Sequence, residues 1–184
     1  GGRKVKAAGI ELSVYFMPGI GGAEFYQENA EETAYVVNQI NPDFVRLRTF
    51  VLPLASEMYQ MKQAGEFTEL TDIEKLREIR LLIEKTEAPD VTIVSDHIVN
   101  LIGSLHHPVS RKAEMIGKID EVLDLSESEQ RLYQIARRHG IVEEYSHMGM
   151  LSQNQISRFR SIIAQNESPE AWESYLTDIL RRYV

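Results

Sequence analysis

Two pairs of charged residues in the sequence could bind or activate a small molecule. Arg46 and Arg48 alternate with apolar residues, so on a strand both guanidinium groups lie on one face. Such a pair could hold a carboxylate through bidentate hydrogen bonds. Asp96 and His97 directly follow a short apolar run and could act as an acid/base pair or orient a substrate. The sequence leaves open whether the arginines instead pair with helix carboxylates or face solvent.

A glycine-rich turn near the start of the chain is the third candidate. An apolar run over residues 10–17 ends in Pro18, Gly19, Ile20, Gly21 and Gly22, and a helical pattern follows. Ligands of α/β proteins gather at the carboxyl ends of parallel strands, so this turn could contact one. It lacks the Lys-Ser/Thr ending and the glycine spacing of phosphate-binding loops. The glycines could equally serve only to turn a strand into a helix.

These residues lie at the ends of three predicted strands that are separated by helices. The predicted strands cover 10–17, 44–53 and 91–94. Apolar residues recur at helical spacing between them, and Thr71 with Glu74 forms a predicted capping box. The spacing from strand to strand is that of βαβ units, which make parallel pairs. Residues 54–70 lack a clean period and are predicted to form a long loop, and the chain beyond about residue 104 is predicted to be helical.

Composition removes several classes of function. The net charge of −8 and the lack of a basic run make nucleic acid a poor partner. No apolar stretch reaches the roughly 20 residues of a membrane span, so we expect a cytoplasmic protein that binds a small-molecule substrate. The chain contains no cysteine, which excludes disulfides, thiolate nucleophiles and cysteine-ligated metal sites within it. His97, His106 and His107 lack a regular metal-ligand spacing, and His106-His107-Pro108 is interpreted as a solvated loop.

Three segments resemble the late-strand region of radical S-adenosylmethionine enzymes, particularly the group related to biotin synthase and oxygen-independent coproporphyrinogen oxidase. The segments are 5–22, 40–50 and 94–101, and the resemblance covers about residues 1–125. It implies a partial (β/α) TIM-type barrel in which a [4Fe–4S] cluster on a Cys-x-x-x-Cys-x-x-Cys loop binds S-adenosylmethionine. In that family, reductive cleavage of the cofactor gives a radical that abstracts hydrogen from the substrate.

The resemblance also implies roles for individual residues. The late-strand glycine motif of the family helps to place the adenine, and the arginines could hold a carboxylate. The cofactor-binding candidates are Met17, Pro18, Gly19, Gly21, Gly22, Arg46 and Arg48. Because the cysteine motif is missing, we expect a carboxyl-terminal part of such an enzyme rather than a degenerate relative. Residues 1–9 resemble the end of a helix, which favours the same interpretation. Alone, the chain is expected to bind no cofactor and to be inactive.

The predicted fold is therefore α/β. Residues 1–103 are expected to form the carboxyl-terminal portion of a barrel and residues 104–184 a helical extension, with self-association possible through an exposed barrel edge. One alternative is a non-catalytic α/β interaction module, which requires a closed core without an open sheet edge. The other is a small barrel enzyme that uses Asp96 and His97 on an anionic substrate held by Arg46 and Arg48. It requires these four side chains to share one pocket.

Overall fold

A four-stranded sheet organises the chain, of which the computed structural model describes residues 1–183. The strands, in spatial order, are β1 (Ser13–Phe16), β2 (Phe44–Leu47), β3 (Thr92–Val94) and β4 (His106–Pro108). The first three are parallel, as predicted, although β2 is shorter than the predicted 44–53. The fourth is antiparallel to β3, with Val94 opposite His106. The interpretation of residues 106–108 as a loop was therefore wrong: they pair with backbone groups of β3 that would otherwise lie at a free edge.

Helices connect the strands and form the rest of the described chain. The α-helices are α1 (Gly2–Ala7), α2 (Gly22–Ile40), α3 (Glu57–Ala64), α4 (Asp72–Lys85), α5 (Lys112–Leu123), α6 (Glu127–Arg138), α7 (Gln153–Gln165) and α8 (Pro169–Leu180). Short 3₁₀ helices cover Val109–Arg111, Tyr145–Met150 and Arg181–Tyr183. Helix α3 lies inside the predicted loop 54–70, where the Ser56 hydroxyl accepts a hydrogen bond from Tyr59 N–H and caps it. Within residues 1–183, no helix is long and apolar enough to cross a membrane.

Helices cover one face of the sheet, and the other face is largely open. Side chains alternate along each strand, and those on the covered face join the main apolar cluster with residues of α2, α4 and α5. These strand residues are Val14, Phe16, Val45, Leu47 and Ile93. The opposite face carries Ser13, Tyr15, Phe44, Arg46, Thr92 and Val94, of which only Val94 is buried. The sheet therefore presents a half-exposed and partly charged surface opposite its helices.

A buried ion pair connects the helical region to the strand ends. Arg138 of α6 donates to both carboxylate oxygens of Asp72 in the first turn of α4, at 2.6 and 3.1 Å, and to the Val99 carbonyl at 2.8 Å. The two side chains are 1% and 4% exposed. One apolar cluster extends from Phe16 to Leu176, so the strands and the later helices share a core. The division at residues 103 and 104 stays a prediction.

Replacing Asp72 tests how far the fold depends on this contact. Asp72→Ala leaves the Arg138 guanidinium buried without a counter-ion, and we expect a loss of about 3 kcal/mol or more in the free energy of unfolding. Urea unfolding at pH 7 measures the loss. The matched control is Glu114→Ala, which removes the exposed partner of Arg111 and should cost less than about 1 kcal/mol. Similar losses in the two variants would show that the buried ion pair of Asp72 contributes no more to the free energy of unfolding than an exposed one.

Candidate functional site

The carboxyl ends of β2 and β3 bring three of the predicted charged residues into contact. Asp96 accepts a hydrogen bond from Arg46 at 2.6 Å and another from Arg48 at 2.5 Å. The register explains this contact, because Arg46 lies opposite Val94 and the next residues on the same face are Arg48 and Asp96. We call these three residues the charged triad. The partner of both arginines is therefore a carboxylate after the neighbouring strand, rather than one on a helix.

Aromatic rings hold the two guanidinium groups of the charged triad against the open face. The Arg48 guanidinium lies 5.3 Å from the centre of the Tyr15 ring, and that of Arg46 lies 5.5 Å from the Phe44 ring. Ser13 accepts a further hydrogen bond from Arg46 Nε at 3.2 Å. Stacking of this kind restrains a cation without using all of its N–H donors. The arginines are thus positioned to bind a second anion in addition to Asp96.

The electrostatics of the site assign different roles to Asp96 and His97. The hydrogen bond from Arg48 lowers the pKa of Asp96, so this side chain is ionised at neutral pH and cannot donate a proton. Burial lowers the pKa of His97, and the charge of Arg48 lowers it further. His97 is therefore neutral at pH 7, when one ring nitrogen can donate and the other can accept. Of the pair, His97 is the candidate proton acceptor, because the lowered pKa of Asp96 makes that carboxylate a weak base.

His97 and Asp96 line a cavity of about 310 Å³ between the loop after β3 and helix α6. The other lining residues are Ser95, Ile98, Gly103, Arg137 and Glu143. Arg46 and Arg48 do not line this cavity, but both form ion pairs with Asp96, which does. Sequence reasoning missed Arg137 because helical periodicity treats an arginine as a solvent-facing residue. The doubled Arg137-Arg138 beside the apolar stripe of α6 was the available signal.

Other residues of the chain pack directly against the glycines of the turn after β1. Gly19 N–H donates to the Glu78 carboxylate at 2.6 Å, and a Cβ at Gly19 would lie 2.6 Å from Lys75 Cε. Gly22 has φ of +62°, and a Cβ there would lie 2.9 Å from the Thr68 carbonyl oxygen. A Cβ at Gly21 would be equally close to the Phe25 carbonyl oxygen. Internal packing thus accounts for all three glycines.

Met17 and Pro18, the other candidates in this turn, differ in exposure. Pro18 is buried, and its carbonyl accepts a hydrogen bond from Phe50 N–H at 2.9 Å. The Met17 side chain is 41% exposed and follows Tyr15, which is 66% exposed, on the open face of the sheet. Met17 is therefore the candidate of the turn whose side chain a ligand on that face could reach.

A second cavity, of about 340 Å³, lies between the start of α4 and helix α8. Its charged lining includes Glu69, Asp72, Lys75 and Glu173, and Lys75 pairs with Glu69 at 3.7 Å. Burial, reinforced by the nearby charge of Asp72, raises the pKa of Glu173 to about 7. Lys62, Glu170 and Arg181 also line this cavity, so it carries charges of both signs, and it is separate from the charged triad.

The residues of this chain do not fit an iron–sulfur cluster. The sequence has no cysteine, and within residues 1–183 no group of three or more His, Asp or Glu side chains is arranged to hold a metal ion. Comparisons with known proteins do not supply a function either. No family model, curated protein or solved structure matches the chain.

The pKa of His97 reports directly on the geometry of the charged triad. Asp96→Asn removes a negative charge that raises the His97 pKa, so that pKa should fall further below 6.5. Arg48→Gln removes a positive charge that lowers it, so the pKa should rise. Titration of the imidazole signals by NMR measures both shifts, and Arg160→Gln, an exposed change of the same charge, is the control. Shifts in the same direction for the two triad variants would contradict the arrangement.

Glu78, which holds the glycine turn, should make stability depend on pH. Burial raises its pKa from 4.5 to about 6, so between these pH values the folded chain retains a proton that the unfolded chain has lost. This stabilising contribution is complete below pH 4.5 and disappears as the pH rises through 6. Glu78→Gln cannot titrate, so its stability should lack the fall of about 2 kcal/mol that the wild type shows between pH 4.5 and 7. At low pH the variant should be less stable, because its amide replaces one of the two oxygens that accept hydrogen bonds from Gly19 and Asn29. Urea unfolding across this range measures the difference, and the exposed Glu66→Gln should show none.

Proposed function

We propose that this chain is the carboxyl-terminal part of a cytoplasmic radical S-adenosylmethionine enzyme and forms one side of its cofactor and substrate site. The observation that carries the proposal is the open face of the sheet, with the charged triad at its carboxyl end. Parallel sheets almost always have both faces covered. In a (β/α) barrel the inner face is covered by the remaining strands, and active sites lie at the carboxyl ends of the strands. Both features of this chain are expected of part of such a barrel.

The free edge of β1 supports continuation of the barrel. Within residues 1–183, β1 pairs only with β2. Beside β1 lies an apolar groove of about 330 Å³, lined by Val14, Tyr15, Val36, Ile40 and Pro42 among others. An exposed edge next to apolar surface is a template for another strand. A further strand and helix would pair with β1 and bury this groove. The interaction-module alternative requires a closed core, and it is disfavoured by this edge.

The open face offers groups suited to S-adenosylmethionine or to an anionic substrate. Tyr15 and Met17 present exposed apolar surface on which a flat heterocycle could stack. Arg46 and Arg48 are held in place by Asp96 and could bind a carboxylate. In this proposal Pro18, Gly19, Gly21 and Gly22 shape the end of β1, and Met17 contacts the ligand. The cluster ligands would belong to another segment of the protein, and no reaction step is assigned to these residues.

The neutral His97 beside the ionised Asp96 supports a second candidate, an acid/base enzyme acting on an anionic small molecule. The requirement that Arg46 and Arg48 share its pocket is not met, because neither arginine lines the cavity of Asp96 and His97. Asp96 would orient the substrate or the imidazole, and His97 would accept the proton. This candidate predicts turnover without any cofactor. The first candidate predicts none from this chain alone.

The two candidates are separated by an assay on a longer protein that also contains the segment preceding this chain in its gene. After anaerobic reconstitution with iron and sulfide, we expect release of 5′-deoxyadenosine from S-adenosylmethionine in the presence of dithionite. Arg48→Ala should lower kcat/KM at least about tenfold, because a charge-assisted contact is lost. Arg160→Ala, at an exposed position on α7, should leave it unchanged.

Two results would overturn the first candidate. One is a preceding segment without a Cys-x-x-x-Cys-x-x-Cys motif. The other is a [4Fe–4S] cluster bound by the 184-residue chain alone. Cofactor-independent turnover that is lost in His97→Gln would instead establish the acid/base candidate.

A further inference from the structure

We propose that the cavity between the loop after β3 and helix α6 binds the oxyanion group of a small molecule, a carboxylate or a phosphate, with Arg137 as its main ligand. The inference depends on this cavity alone and holds whether or not the protein performs radical chemistry. It assigns a binding role to a residue outside the charged triad.

Arg137 is a buried cation without a partner. Arg137 is 8% exposed, and its side chain makes no hydrogen bond or ion pair with any other residue of the range 1–183. The two other buried arginines of α6 both form an ion pair and hydrogen bonds to backbone carbonyl groups. Arg131 binds Glu127 and two backbone carbonyls, and Arg138 binds Asp72 and one carbonyl. Because buried charges in proteins are normally paired, Arg137 lacks an anion that the fold itself does not supply.

The guanidinium group of Arg137 is directed into the cavity. Gly103 lines the same cavity, and a Cβ there would lie 3.1 Å from Arg137 Nη2. Gly103 N–H donates to the Glu143 carbonyl at 3.0 Å, which fixes the loop against the arginine. A glycine is thus present where a side chain would crowd the guanidinium. The volume of about 310 Å³ leaves room for an oxyanion and the small molecule that carries it.

His97 is a second polar residue that lines this cavity. Its Nδ1 atom is buried and has no hydrogen-bond partner among the described residues. Burial lowers the pKa of His97, so the ring is neutral at pH 7, and a neutral ring protonated on Nδ1 can donate to an oxyanion. Arg137 therefore supplies the positive charge of the site, and His97 lies beside it in the lining of the same cavity.

The charges around the cavity favour an anion in a protein whose net charge is −8. Asp96 lines the cavity, but Arg46 and Arg48 neutralise it. Glu143 also lines the cavity, and its charge raises the pKa of Arg137, but its side chain is exposed to solvent and forms no ion pair with Arg137 among the described residues. Burial and the neighbouring charge of Arg138 lower the pKa of Arg137, and the charges of Glu143 and Asp72 only partly oppose this shift. A bound oxyanion would compensate the positive charge of Arg137.

Binding of inorganic phosphate and of acetate tests the proposal. Each is titrated into the whole chain at constant ionic strength, set with sodium chloride, and followed through the backbone amide signals in NMR spectra. We expect saturable shifts centred on residues 95–103 and on the end of α6. Arg137→Gln should weaken binding at least about tenfold, because the loss of a charge-assisted hydrogen bond is worth about 1.5 kcal/mol or more. Arg160→Gln removes the same charge from an exposed position and should bind like the wild type.

A second variant keeps the test decisive if Arg137→Gln does not fold. Gly103→Ala retains every charge but places a methyl group against Arg137 Nη2, and it should also weaken binding. Stronger binding of phosphate than of acetate would identify a phosphate ester as the natural ligand, and the reverse order would identify a carboxylate. Unchanged affinity in a folded Arg137→Gln or Gly103→Ala variant overturns the proposal, as do shifts that are not centred on the cavity.

Discussion

The pairing register of β2 with β3 determines both the core and the candidate site. With Val45 opposite Ile93, both side chains enter the apolar cluster beneath the helices. The same register places Arg46 opposite Val94 and brings Asp96 to both arginines on the other face. A slip by one residue would expose the apolar set and bury the arginines, so the free energy of core formation also fixes the charged triad. The site is therefore as well specified as the core itself.

The three buried arginines of α6 differ in whether the chain supplies them with a partner, and this difference separates the structural residues of the helix from the one to which we assign binding. Arg138 links α6 to the start of α4, and Arg131 links it to the turn before α8; each pairs with a carboxylate and with backbone carbonyl groups. Arg137, between them in sequence, points to the cavity and has no such partner. Adjacent residues of a helix point in directions about 100° apart, so one short segment can anchor the helix and also serve a cavity.

Local patterns in the sequence predicted the local structure well. The three parallel strands follow from their apolar and β-branched runs, and the capping box at Thr71 starts a helix as expected. Contacts between distant segments were not predictable in this way. Strand β4 consists of His-His-Pro, which has no strand signature, and it exists because β3 offers an unpaired edge. The groups that fill the glycine turn, Lys75 and Glu78, come from a helix more than fifty residues later.

Asp96 connects the two parts of the candidate site and explains why they can coexist. It faces the open sheet through its bonds to Arg46 and Arg48, and it also lines the cavity that contains His97 and Arg137. An unneutralised carboxylate there would repel an anion from the cavity. Two arginines neutralise Asp96, so among the described residues Glu143, which is exposed, is the lining carboxylate whose charge opposes an anion beside Arg137. The sheet face keeps an excess of positive charge from the triad. A ligand with one anionic group and one flat apolar group could therefore contact both the cavity and the surface around Tyr15, with Asp96 fixing the geometry between them.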